Sequence, residues 1–258
     1  MRAPALKYLA VLLARTWLAG LGLMPIMAQA TTVLELDTQD SGVPGRVTVA
    51  VQDGRIRVDQ GSAGWMLYDK ARHNVVLVDP KQRSYVELTR DEMRRYGQQI
   101  AAARKLLDEQ LQGLLPEQRA AIEKMMGGSG RRAPLLFQST GQKREVAGYA
   151  CTGGRLVRNG KIQEEACVAE PKALGMSADE YKTVRSMYTL MHEMQELGAP
   201  GILPDLSEIE GVPIEIRNPR GDVQRLRRVH HDKLPAAHFA RPEGYKRESV
   251  ADALSRRG

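Results

Sequence analysis

Two cysteines, a methionine-rich helix and a basic strand are the only residues whose types and spacing suggest chemistry. Cys151 and Cys167 are the sole cysteines. They flank Arg158-Asn159-Gly160, where glycine occupies the position of a hairpin that wants positive φ. Counting outward from a three-residue loop places them directly opposite one another. An even pair in an oxidising compartment usually bridges, whereas a redox or metal pair would have C-x-x-C spacing or a nearby histidine. A structural disulfide, worth about 3 kcal/mol for a loop of this length, is expected.

Met187, Met191 and Met194 fall four and three apart, on one face of a helix. Thioethers are soft ligands that suit Cu(I), but His192 points away from that face. The same face also carries Tyr181 and Val184, as a core-packing stripe would. No metal or other cofactor is assigned. Met93, Met125 and Met126 lie on other helical segments. Two readings stay open. The helices cover an apolar groove formed by Met93, Ile100, Leu107, Met187, Met191 and Met194, or the same residues fill a solid core.

Arg225, Arg227, Arg228, His230, His231 and Lys233 form a basic run. Simple alternation puts Arg225 and Arg227 on one face and Arg228 on the other. Anionic lipid headgroups would suit such a run, but charge protecting a solvated edge strand is the preferred reading. His230-His231 lacks the spacing that brings two imidazoles to one ion. Nucleophile elbows, phosphate-binding loops and dinucleotide fingerprints are missing from the sequence, and the carboxylates are scattered. The sequence points to no enzyme.

The 258 residues carry 38 Lys+Arg against 31 Asp+Glu, a net charge of +7. Arg2, Lys7 and Arg15 supply three of those charges within the first thirty residues, leaving the remainder at +4. That density, with 5% aromatic residues, argues against a nucleic-acid binder. Residues 1–30 read as a signal peptide. Arg2 and Lys7 form the basic start, Thr16 to Met27 the apolar run, and Ala28-Gln29-Ala30 the cleavage signal. Arg15 cuts the apolar stretch short of a membrane span. The expected product starts at Thr31, is periplasmic or secreted, and is not integral to the membrane.

From residue 31 to 246 a single β-rich domain is expected. Val33 and Leu36 begin the first strand, and Val47, Val49 and Val51 share a face of the second. Asp53-Gly54 turns into Ile56 and Val58. Trp65–Asp69, Asn74–Asp79 and Ser84–Leu88 complete a six-strand meander. Val75 to Val78 is apolar at both parities, predicting a strand covered on both faces. A helical insertion spans 89–126: Thr89 caps a helix with the stripe Met93, Tyr96, Ile100, Ala103, Leu107 and Leu111, and Pro116 opens a second. A flexible linker follows at 127–134.

Strands then resume with the cysteine hairpin. A capping box, Ser177 with Glu180, opens a helical insertion at 177–197 whose stripe is Tyr181, Val184, Met187, Tyr188, Met191 and Met194. Val212, Ile214 and Ile216 alternate, Pro219-Arg220-Gly221 turns, and Asp222–Asp232 is a last long strand. Residues 247–258 are expected to be a C-terminal tail. The fold class is α+β, a curved antiparallel sheet with helices on its concave face.

Several blocks carry a resemblance. These are Gly54-Arg55-Ile56-Arg57-Val58-Asp59, Trp65-Met66-Leu67-Tyr68-Asp69, Val76-Leu77-Val78-Asp79-Pro80 and Ser84-Tyr85-Val86-Glu87-Leu88. Val146-Ala147-Gly148-Tyr149 and Gly211-Val212-Pro213-Ile214 follow, with the closing pattern Phe239, Pro242, Gly244 and Tyr245. Together, over residues 33 to 245, they resemble secreted bacterial proteins of domain-of-unknown-function family 4412. The ending also resembles half-barrel proteins like the lipoprotein carriers of the Lol pathway. The resemblance implies a half-barrel and a non-enzymatic envelope protein holding a lipid or other apolar ligand between sheet and helices. The alternative is an interaction or envelope-assembly module that docks an envelope protein.

Overall fold

The computed structural model describes residues 31–113, 117–118, 135–196 and 206–255. The expected signal peptide, Met125, Met126, the expected linker at 127–134 and nearly all of the second helix expected after Pro116 lie outside them.

One large, curved, unclosed sheet of twelve strands dominates the chain, in the order β12-β6-β5-β4-β3-β2-β1-β11-β10-β9-β8-β7. The first six strands, β1 (Thr31–Asp40), β2 (Val43–Gln52), β3 (Arg55–Asp59), β4 (Trp65–Asp69), β5 (Asn74–Asp79) and β6 (Ser84–Leu88), form the expected meander. Asp53 and Gly54 both take positive φ at its second turn, the geometry that matches strand twist in a two-residue hairpin. A second meander runs through β7 (Leu136–Val146), β8 (Tyr149–Arg158), β9 (Lys161–Ala169), β10 (Val212–Arg217) and β11 (Val223–Asp232). The two meanders join where β1 pairs with β11, from Thr31 opposite Asp232 to Gln39 opposite Val223. At the far end the sheet curls until β7 approaches β11.

Strand β5 is covered on both faces, as its composition predicts. Val75 belongs to the main core, and Val76 and Val78 join Leu67 in a separate cluster on the other side. Tyr245 packs on that cluster, and Phe239 packs on Val33 and Ala50. The F-x-x-P-x-G-Y segment therefore covers the sheet face opposite the main core.

Three α-helices are described. Helix α1 (Arg90–Leu111) starts at Thr89, whose side chain accepts the Glu92 amide. Its stripe is buried only in part. Met93 and Leu111 are buried, but Ala103 is exposed, and the side chains of Ile100 and Leu107 lie outside the described residues. Helix α2 (Ala178–Glu196) opens on the expected capping box: Ser177 N–H donates to Glu180 at 2.7 Å, and Glu180 N–H donates to Ser177 Oγ at 3.3 Å.

Three expectations need correction. Residues after 246 are not all tail: β12 (Lys246–Glu248) pairs in parallel with β6, and α3 (Val250–Ser255) buries Val250. The disulfide is present, with Cα atoms 5.5 Å apart, but its cysteines are not directly opposed. The hairpin turns through two residues, Asn159 and Gly160, and an irregularity between Leu156 and Val157 shifts the register. Cys167 therefore faces Gly153 rather than Cys151.

Finally, β11 is an interior strand, so edge protection does not explain its cations. A bulge in β11, opposite Glu35 and Leu36 of β1, pairs Glu35 with Arg228 and Leu36 with Leu226, leaving Arg227 as the extra residue. Arg225 and Arg228 consequently share a face, contrary to simple alternation.

Candidate functional site

Helix α2 lies across β2 and β3. Its buried stripe contains Val184, Met187, Tyr188, Met191 and Met194, as the spacing predicts. Four polar contacts fix its position. At its start, the second Glu180 carboxylate oxygen accepts the Thr32 amide of β1 at 2.8 Å. One turn and a half later, Ser186 Oγ and the buried Tyr68 hydroxyl of β4 lie 2.6 Å apart. Arg185 donates to the carbonyls of Ser207 and Ile209 at 2.9 and 2.6 Å, tying down the segment that enters β10. At the far end Arg90 of α1 donates twice to Glu193, at 2.7 and 2.9 Å. A bidentate guanidinium–carboxylate pair of this kind sets orientation as well as distance.

Between α2 and the sheet is a cavity of about 190 Å³. Leu36, Val49 and Ile56 form its floor, and Val184, Met187 and Met191 its roof. Two amide side chains, Gln60 and Gln224, are its polar lining apart from the Tyr188 phenol. Burial pushes that phenol above its ordinary pKa, so it stays neutral. The lining carries no charge among the described residues. An apolar space of about 150 Å³ is enough to bind benzene, so this one can take a short hydrocarbon segment.

Of the residues expected to form a groove, Met187 and Met191 line this cavity. Met194 is buried on the same helix face without reaching it. Met93 is fully buried where α1 meets the sheet, away from the cavity. The side chains of Ile100 and Leu107 lie outside the described residues. Sequence reasoning missed the floor of the site. Its residues are alternate positions of strands already expected to face inward, but nothing in the sequence says which of them α2 leaves uncovered.

A second recess, of about 910 Å³, lies on the opposite face of the same strands. Arg46, Arg217 and Arg225 line it together with Asp37. Behind it the buried Glu215 accepts hydrogen bonds from both Arg225 and Arg144. Burial raises the carboxyl's pKa, but the two guanidiniums outweigh that and leave it below the ordinary range.

Among the described residues, no helix is long and apolar enough to cross a membrane. No family model matches the chain, and no curated protein does. Among solved structures, PNGF-II in space group C2 aligns at a TM-score of 0.45 and 8% identity. That alignment covers 88% of this chain and 32% of that one. PNGF-II in space group P21 aligns over the same shares at 0.44 and 8%. The chain thus spans about a third of the length of the structures it matches, and a likeness this distant carries no argument about function.

Proposed function

We propose that the protein is an exported, non-enzymatic binding protein of the bacterial envelope that holds a lipid or other apolar chain between its sheet and α2. In this reading the sheet is a half-barrel of the lipoprotein-carrier kind, with α2 on its concave side. The observation that carries it is the uncharged cavity roofed by Met187 and Met191. Methionine is unbranched and adaptable, which suits a surface that must close around ligands of varying shape. The disulfide between Cys151 and Cys167 supports an oxidising compartment, and Ala28-Gln29-Ala30 supports export with cleavage after Ala30.

The test is a fluorescence titration with N-phenyl-1-naphthylamine, followed by displacement with octan-1-ol. Saturable uptake by the wild type and its loss in Val49→Phe, which fills the floor, are expected. A wild type that takes up no probe refutes the binding role and favours the interaction module.

A further inference from the structure

The same four strands build two recesses, and residue alternation separates them. Leu36, Val47, Ile216 and Gln224 face the apolar cavity, while their neighbours Asp37, Arg46, Arg217 and Arg225 face the opposite recess. Two hairpins bring the cations together across the sheet. Arg46 lies opposite Asp37 between β2 and β1, Asp37 opposite Arg225 between β1 and β11, and Arg225 opposite Glu215 between β11 and β10. Interior strands need no charge to block edge pairing, so these arginines call for another account.

Part of it is structural. Glu215 holds Arg225 and Arg144, and that triad ties β10 to the curled-back β7 and to β11. One carboxylate neutralises only one of the two guanidiniums. The triad also leaves Arg46 and Arg217 unexplained. Arg46 has only a 3.8 Å contact with Asp37 in a solvent-facing pair. Arg217 is exposed and lies across the ladder from Val223 and Glu165, and Glu165 is already within 3.6 Å of Arg155.

We propose that this recess binds a phosphoryl group, on a small phosphorylated ligand or a lipid headgroup. Three guanidiniums against one carboxylate leave the lining with two surplus positive charges. That matches a dianionic phosphate monoester better than a single carboxylate. The planar guanidinium fork presents paired donors to phosphate oxygens. A concave wall of net positive charge concentrates the field where the ligand would sit, and the volume falls within the ordinary range of small-molecule sites. Glu215 positions Arg225 from behind. The site is independent of the apolar cavity, since it occupies the other face.

Calorimetric titration of the full chain with sodium pyrophosphate at low ionic strength tests it. One saturable site is expected, weakened at least tenfold in Arg217→Gln and in Arg46→Gln. Arg72→Gln, which removes an exposed arginine in the turn between β4 and β5, should leave it unchanged. All three side chains are solvent-exposed, so equal melting temperatures confirm that folding is not the cause. Glycerol 3-phosphate and vesicles of phosphatidic acid, whose headgroup is itself a phosphate monoester, then separate the sources. Binding of the soluble ester identifies a free phosphorylated ligand, and binding of vesicles alone, lost in Arg217→Gln, identifies a headgroup. Absent saturation with every probe, or equal weakening by Arg72→Gln, overturns the proposal.

Discussion

Met191 is the side chain on which the cavity's roof depends, and its truncation to alanine should have two measurable effects. The residue is 5% exposed and lines the apolar space. Cutting a buried methionine back to alanine costs about 2–5 kcal/mol, the transfer of the lost atoms plus the void they leave. Taking about 3 kcal/mol, the melting temperature of a domain this size should fall by roughly 6–12 °C. The void adds to the existing 190 Å³, so a hydrocarbon ligand gains room. A ligand present at one hundred times its dissociation constant returns about 2.7 kcal/mol, nearly the whole loss.

Differential scanning fluorimetry of Met191→Ala with and without octan-1-ol measures both effects. Met93→Ala is the control, since Met93 is as fully buried but sits away from the cavity. It should lose comparable stability and recover no more than the wild type gains. A loss below about 1 kcal/mol in Met191→Ala, or recovery equal in the two variants, would refute the reasoning.

Three further outcomes follow from the structure. Replacing Cys151 and Cys167 by serine should cost about 3 kcal/mol, read as a shift in the urea midpoint, while non-reducing mass mapping of the native chain should find the two residues linked. Glu180→Ala removes both the cap on Ser177 and the acceptor of the Thr32 amide. It should cost about 2–4 kcal/mol and speed hydrogen exchange at Thr32, with Glu180→Gln recovering part of the loss. Glu215 has its pKa lowered in the folded state. The stability it supplies is therefore complete above the ordinary carboxylate range, near pH ~4.3, and drains away as pH falls through its depressed folded value. Urea melts in Glu215→Gln should lack that part of the acid loss; an unchanged pH slope would mean the arginines do not hold the carboxylate ionised.

Much of the fold can be read from local signals. The six strands of the first meander alternate and are separated by turn residues, and both described long helices start on side-chain caps visible as Thr89 and as Ser177 with Glu180. The stripe of α2 is legible because buried helical positions recur every three or four residues. What local pattern cannot carry is pairing between distant segments. β1 meets β11 across nearly the whole chain, and that one ladder turns two meanders into a single sheet and makes the basic strand interior. Bulges defeat counting for a related reason. One extra residue at Arg227 reverses the face assigned to Arg228, and the irregularity after Leu156 moves Cys167 opposite Gly153. The tail after residue 246 was illegible because a three-residue strand has no periodicity of its own and gains its place from β6.

The candidate site was legible on its helical side only. Met187 and Met191 share a face by spacing, but the choice of Met93 as a partner assumed that α1 covers the same part of the sheet. Instead, α1 meets β6 and α3, and among the described helices it is α2 that crosses β2 and β3.

Methionine-methyl NMR of the ¹³C-labelled protein during an octan-1-ol titration tests the apolar-ligand reading most directly. The account predicts saturable shifts for Met187, Met191 and Met66, which line the cavity, with Met93 and Met176, buried elsewhere in the core, unmoved. No shift at Met187 and Met191, or equal shifts at all five methyls, would contradict it.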